Sequence, residues 1–338
     1  MRMRSRHTDY QPPYPAYQGY QSVDKPDVVL ALFAAQVRSK DADDGSIATA
    51  ITQLLIEGPE GGGPLHVDKS RFVDAQGAEN LIFMPYWATK EDQAAFWRRA
   101  DVIAFVEEEI SGDAGWWVES FYARTTSLDA SYAIRDVRYG IGRHSDIQVQ
   151  QYHAYMGSMR DRVPDYLQGK ADAEARQLQR LPTLPRSLGR TIRLSELPDK
   201  LCFIRGGFAW KDALPEEQAA YMRDMLPVYE EGANYLRDNP IASNCISMRM
   251  TEELNEAFDT GVQSNAIGWF LSLNDLERWV RFHPRHLAIM KTIMDYMARF
   301  NFKPKLNLGH EVIVVPGGQL TCIYANCHDQ TGFLPYFR

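Results

Sequence analysis

The chain has 338 residues, 45% of them hydrophobic and 24% charged, with a formal net charge of −7. That is the make-up of a globular protein with a real core, and an acidic total argues against nucleic acid, whose binding needs clustered excess Lys and Arg to displace counterions. No run approaches the roughly 18 apolar residues of a membrane helix, and no apolar stretch follows the positively charged start, so neither a membrane span nor a secretory signal is expected.

Residues 1–25, rich in Pro and Tyr, read as an extended arm on the surface. Asp27–Val37 is a strand candidate, Ile47–Leu55 a short helix and Glu60–Pro64 a flexible loop. The short apolar run LIFMPYW after Asn80 reads as a buried strand, and Lys90 to Glu109 as one helix. The polar stretch 170–190, with Pro182 and Pro185, is the expected connection between an N-terminal half (26–169) and a C-terminal half (191–338). There follow a strand at Leu201–Arg205, a helix through Glu216–Arg237 and strands at Cys245–Met250 and Ala266–Leu271. Helices at Leu273–Arg281 and Pro284–Phe300 and strands at Glu311–Val315 and Thr321–Ala325 complete the reading.

The two halves echo each other. YWATKED at Tyr86–Asp92 lines up with WFLSLND at Trp269–Asp275: a strand ending in aromatics meets a Thr or Ser, and an Asp follows three residues later. In such a capping pattern the hydroxyl satisfies a free helix N–H, and the acid sits at the positive end of the helix dipole. Phe96 and Trp279 then fall at the same offset, on the expected inward face. A duplicated β-α-β unit gives this echo, so the fold expected is α+β, a tandem ferredoxin-like arrangement of the dimeric α+β barrel type. In that alignment His286 takes the place of Ile103, so the position should point inward in both halves and carry a cofactor site only in the C-terminal one.

Most of the eight histidines call for no function. His7 and His66 sit in polar, loop-like stretches, and His144 and His153 flank the strand candidate DIQVQQYHAY. His286 lies in the first turn of a helix opened by Pro284, with Leu287, Ile289, Met290, Ile293, Met294 and Met297 behind it, either as a metal ligand or as part of a packed core. His310 opens an apolar strand and faces either core or cavity. Arg162, in GSMRDRVP, either fixes a polar group in a pocket or pairs with Asp161 or Asp165 on the surface. The four cysteines form no CxxC pair and read as free thiols in a reduced, cytoplasmic setting; the spacing of Cys322, Cys327 and His328 fits neither a zinc site nor covalent haem attachment.

Taken in order, YQPPYP, GSMRDRVP, HPRHLAI, the GHEV strand and NCHDQTGFLP, together with LCFIRGGFAW and SLNDLERW, resemble the haem-containing aldoxime dehydratases from Tyr10 to Pro335. The resemblance implies a non-covalent haem b, active as Fe(II), in a protein that is usually a homodimer, and conversion of an aldoxime to a nitrile and water. It implies His286 as the iron ligand, His310 as the distal acid–base group and Arg162 as its assistant. One position departs: where the family has a serine that contacts the oxime hydroxyl, this chain reads Ile204-Arg205-Gly206-Gly207. That leaves two other readings, a haem enzyme acting on a different N–O or N–N compound, and a non-catalytic haem sensor or carrier.

Overall fold

The computed structural model describes residues 3–20, 27–39, 45–56, 63–137 and 139–338; Glu60 to Gly62 of the expected loop lie outside them. Strands β1 (Tyr17–Tyr20), β2 (Asp27–Val37), β3 (His66–Val73), β4 (Glu79–Trp87) and β5 (Ala114–Arg124) come first, with helices α1 (Ser46–Leu55), α2 (Lys90–Trp97) and α3 (Ala100–Glu107) between them. β6 (Leu128–Tyr132), β7 (Asp146–Val149) and the short helices α4 (Ser158–Arg162) and α5 (Pro164–Leu167) follow. Beyond the irregular stretch 170–190 lie β8 (Thr191–Leu194), β9 (Leu201–Ala209), α6 (Pro215–Ala220), α7 (Leu226–Asp238) and α8 (Pro240–Ser243). β10 (Cys245–Leu254), β11 (Thr260–Phe270), α9 (Leu273–Phe282), α10 (Pro284–Arg299), β12 (Asn307–Val315) and β13 (Leu320–Ala325) complete the chain.

All these strands join one antiparallel sheet in the order β7-β1-β6-β12-β9-β11-β10-β3-β4-β2-β5-β13-β8. It contains two similar blocks, β12-β9-β11-β10 and β3-β4-β2-β5, joined where Glu252 of β10 pairs with Arg71 of β3. The sheet curls on itself: Phe121 of β5 packs 4.9 Å from both Phe203 of β9 and Trp269 of β11, ring centre to ring centre, although these strands are far apart in the sheet. The enclosed core carries Leu30, Trp117, Phe203 and Ile313 from both blocks. Helices cover the outer faces, α1–α3 on the first block and α7, α9 and α10 on the second.

The paired caps form as the sequence indicates. Thr89 and Ser272 accept from the backbone N–H of Asp92 and Asp275, at 3.1 and 3.2 Å, and Phe96 and Trp279 are buried. The expected equivalence of Ile103 and His286 does not hold, because Ile103 is 43% exposed. The single helix expected from Lys90 to Glu109 breaks at Arg99, whose backbone is extended, and α3 starts anew with Val102, Phe105 and Val106 turned inward. The helix through Glu216–Arg237 widens to an i→i+5 turn at Tyr221–Met225, just before Pro227, which lacks the N–H a regular turn needs.

Besides β1 in the arm, four strands escaped the sequence reading, β3, β5, β6 and β8. β5 is buried on both faces, so no alternation marks it, and it carries Glu119, fully buried and held by Arg249 at 2.9 Å and the Trp269 indole N–H at 2.8 Å. His66 is not in a loop but opens β3, stacked on Tyr86. The DIQVQQYHAY strand stops at Val149, leaving His153 beyond it. The N-terminal arm is not merely laid on the surface, since β1 pairs with β6 and β7. All four cysteines are free and buried.

Candidate active site

A cavity of about 310 Å³ lies between the outer face of the second block and α7, α9 and α10, and it is largely apolar. It brings together His286, His310, Arg162 and Gly206 from four separate segments.

α10 owes its start to its first two residues. Pro284 occupies the first helical position, where a missing N–H is harmless. His283 is the cap, its ring nitrogen accepting from the Arg285 N–H at 3.3 Å. The ring is sandwiched between Trp279 and Tyr235, with centroids at 4.4 and 4.3 Å, and burial lowers its pKa, keeping a lone pair free for capping. His286 sits one turn further in. Ile289, Met290, Ile293 and Met297 line the cavity beside it, whereas Leu287 and Met294 of the expected stripe are 42% and 36% exposed.

Burial pushes the His286 imidazole down to about 4, so it is neutral near pH 7. Nδ1 is buried beside the Val280 carbonyl but meets no partner with hydrogen-bond geometry. A neutral imidazole on the wall of an oily cavity suits a cofactor that brings its own equatorial ligands and takes one from the protein. Among the described residues no group of three or more His, Cys, Asp or Glu is placed to hold a bare metal ion. The residues present therefore fit haem.

On β12, His310 projects to the cavity while Gly309 lies against Tyr132 and Tyr139. A Cβ at 309 would come within 2.2 Å of the Tyr139 hydroxyl, which is why glycine precedes this histidine. His310 Nε2 lies 3.0 Å from Asp129 Oδ2. Arg162 grips the same carboxylate with two nitrogens, Nε to Oδ1 at 2.8 Å and Nη2 to Oδ2 at 2.7 Å. Its Nη1 donates to the Tyr152 carbonyl and the Ser158 hydroxyl. Arg162 thus pairs with neither Asp161, which holds Ser5 and Tyr155, nor Asp165, which holds Thr126 and Ser127.

Burial alone would raise the Asp129 carboxyl, but the charges and hydrogen bonds of Arg162 and His310 carry it far below the usual range. Asp129 is therefore an anion that only accepts, and the imidazole proton belongs on Nε2, pointing at it. Nη2 of Arg162, 3.3 Å from that nitrogen, is then a second donor to the shared carboxylate and not a partner of the ring. Nδ1 of His310 keeps no protein partner among the described residues, on a side chain 32% exposed in the cavity wall.

Asp129 was not legible beforehand, since nothing in LDASY marks it beyond an acid within a strand-like run. His153 was passed over, yet it also lines the cavity with Nε2 buried and unpartnered, and burial and the Arg162 charge push its pKa down to about 4. Tyr14 of the arm leans on His153 and stacks on Phe302, closing one side of the cavity.

A family model described as haem-containing dehydratase matches residues 31–333. The chain belongs to that family. This haem-containing dehydratase is 30% identical to an aliphatic aldoxime dehydratase of Rhodococcus erythropolis over 334 residues, 96% of this chain and 91% of that one. It is likewise 30% identical to a phenylacetaldoxime dehydratase of Bacillus sp. strain OxB-1 over 283 residues, 82% and 79% of the two chains. Its structure superimposes with a TM-score of 0.89 on an aldoxime dehydratase crystallised in complex with butyraldoxime, at 30% identity and covering 99% and 92% of the two chains. It is a lyase of the mixed α/β type with a haem cofactor.

Proposed function

We propose that this haem-containing dehydratase converts an aldoxime, R–CH=N–OH, to a nitrile and water in the cavity between His286 and His310. The observation that carries the reading is one apolar cavity walled by a neutral histidine on α10 and by a histidine on β12 held by a buried Asp129–Arg162 pair. His286 would hold a haem b through its ring nitrogen. Held there, a ferrous haem would supply the electron-rich centre that weakening of the oxime N–O bond requires. Hydroxide leaves poorly, so the oxygen must gain a proton as it departs; His310 gives it from Nδ1 when the ring enters the step as the imidazolium, its Nε2–H still held by Asp129. The same nitrogen then takes the proton from carbon, while Asp129 holds the ring by Nε2–H and stabilises its charged form. The apolar walls keep bulk water from the reacting atoms.

A sensor or carrier needs only His286, so the Asp129–Arg162 grip on His310 speaks for catalysis. Substrates with a different N–O or N–N centre stay within the proposal, because Gly206 leaves unfilled the room a side chain would take beside His310 without a clash.

The tandem ferredoxin-like reading, with halves 26–169 and 191–338 joined by 170–190, is supported by the matching block orders β3-β4-β2-β5 and β12-β9-β11-β10. The halves trade edge strands, β6 lying beside β12 and β13 beside β5. A cytoplasmic location agrees with four free thiols and with no helix among the described residues long and apolar enough to cross a membrane. A homodimer is proposed on the family resemblance alone.

The test is nitrile formation from butyraldoxime by the reduced holoprotein, with His286→Ala alongside. The wild type should form nitrile and carry about one haem per chain, and the variant should lose most of its haem. Full haem with an unchanged ferrous spectrum in His286→Ala would remove His286 as the ligand.

A further inference from the structure

Gly206, His310 and Ser131 lie in register on three adjacent strands, β9, β12 and β6. Directly paired residues of antiparallel strands project to the same face, so positions 206 and 131 flank the imidazole on either side, and both line the cavity. The 206 flank is bare: a Cβ there would meet nothing closer than His310 Cβ at 3.7 Å. The 131 flank carries a hydroxyl, with Oγ 3.0 Å from Asp129 Oδ1.

An ionised carboxylate only accepts, so Ser131 donates its hydrogen to Asp129, and its oxygen is left as an acceptor toward the cavity. The other hydroxyl close to Gly206, that of Tyr229, is fully engaged, donating to the Gly206 carbonyl and accepting from the Ala266 N–H at 2.9 Å. A hydroxyl that donates onward to an anion is also a stronger acceptor than an isolated one.

We infer that Ser131 is a further substrate-contacting residue, its oxygen accepting the O–H hydrogen of a bound oxime. The inference rests on the aldoxime reading above and adds the group that orients the leaving oxygen. With the oxime hydrogen held by Ser131, the lone pairs of that oxygen remain for the proton of His310. The chain O–H to Ser131 to Asp129 ends on the same carboxylate that holds Arg162 and His310, so leaving-group orientation and acid–base chemistry share one anchor.

The test compares butyraldoxime with its O-methyl ether, whose oxygen carries no hydrogen. Dissociation constants are read from the haem absorption change in the wild-type holoprotein and in Ser131→Ala and Ser131→Cys. The cysteine variant keeps most of the side-chain volume but is a weak acceptor, so it serves if the alanine variant folds poorly. Both variants should bind the aldoxime about tenfold more weakly, the usual worth of one hydrogen bond, bind the ether as the wild type does, and keep full haem. Equal weakening for both ligands would mean that Ser131 only steadies Asp129, and no weakening would mean that it has no part; either overturns the inference while leaving the aldoxime reading intact. A wild type that neither binds nor dehydrates any aldoxime overturns both.

Discussion

At the residue scale, the proposed reaction depends on a histidine whose two ring nitrogens would have separate tasks. Nε2 of His310 is tied to Asp129, and Nδ1 has no protein partner among the described residues. His310→Ala should keep the haem and lower kcat by roughly 10²–10⁴, the range for removing a general acid–base group. Asp129→Asn tests the positioning role: the amide offers an N–H where the ring needs an acceptor, which favours the wrong tautomer. We expect kcat to fall about 10²-fold with KM changed little, measured by nitrile formation at fixed haem content. Near-normal turnover in either variant would remove that residue from the mechanism.

At the scale of elements, α10 is the part of the fold that the proposed ligation by His286 would couple most directly to the cofactor. His286 lies in its first turn, where a helix frays first, and His283 is the residue that holds that turn. The first histidine of HPRH is thus explained by capping and by its stacking between Trp279 and Tyr235, and the second by its place on the cavity wall. His283→Ala should cost about 0.5–2 kcal/mol of stability, as cap losses do, and should speed haem release by loosening His286. His283→Asn, a residue that also caps well, should recover most of the stability. Thermal unfolding and haem transfer to an apoprotein acceptor check the pair; an alanine variant with unchanged haem release would detach the cap from cofactor retention.

At the scale of the whole molecule, the blocks are tied through buried charge as well as through apolar packing. Arg205 of β9, 1% exposed, bonds Asp68 of β3 at 2.6 Å and Glu253 of β10 at 2.9 Å. Removing it as Arg205→Met leaves carboxylates buried without their countercharge, and a loss of about 3–5 kcal/mol is expected by urea unfolding. A loss under 1 kcal/mol would mean that these acids find other partners.

Acid sensitivity follows from the same interior. Burial holds His66 and His153 down to about 4, against an ordinary 6.5. The unfolded chain therefore takes up protons first, and stability should fall as pH drops from about 6.5 to 4, by up to about 1.4 kcal/mol per pH unit for each ring, then level off for these groups. Asp129 acts lower down, its contribution complete above the ordinary carboxylate value of about 3.9 and lost as pH falls further. His66→Phe, which keeps the stacking on Tyr86 and adds no polar atom, should flatten the slope between pH 6.5 and 4. An unchanged slope would assign it to other groups.

What the sequence determined by itself is local. The Thr89 and Ser272 caps, the start of α10 at Pro284 and the motif order that carries the family resemblance all depend on residues within a turn or two of each other. The missing side chain at Gly206 was likewise legible from Ile204-Arg205-Gly206-Gly207, whereas its place beside His310 was not. Tertiary structure decided everything that joins distant segments. β5 hides its strand character because both of its faces are buried, and the partner that makes Glu119 tolerable there, Arg249, is 130 residues away. The segment 128–162 contributes Ser131, His153 and Arg162 to the lining of a cavity whose other wall is α10, and Asp129 behind them, because β6 pairs with β12. No spacing rule along the chain can reveal that Asp129 anchors His310 across 181 positions; a strand register brings them together, and register is a property of the assembled sheet.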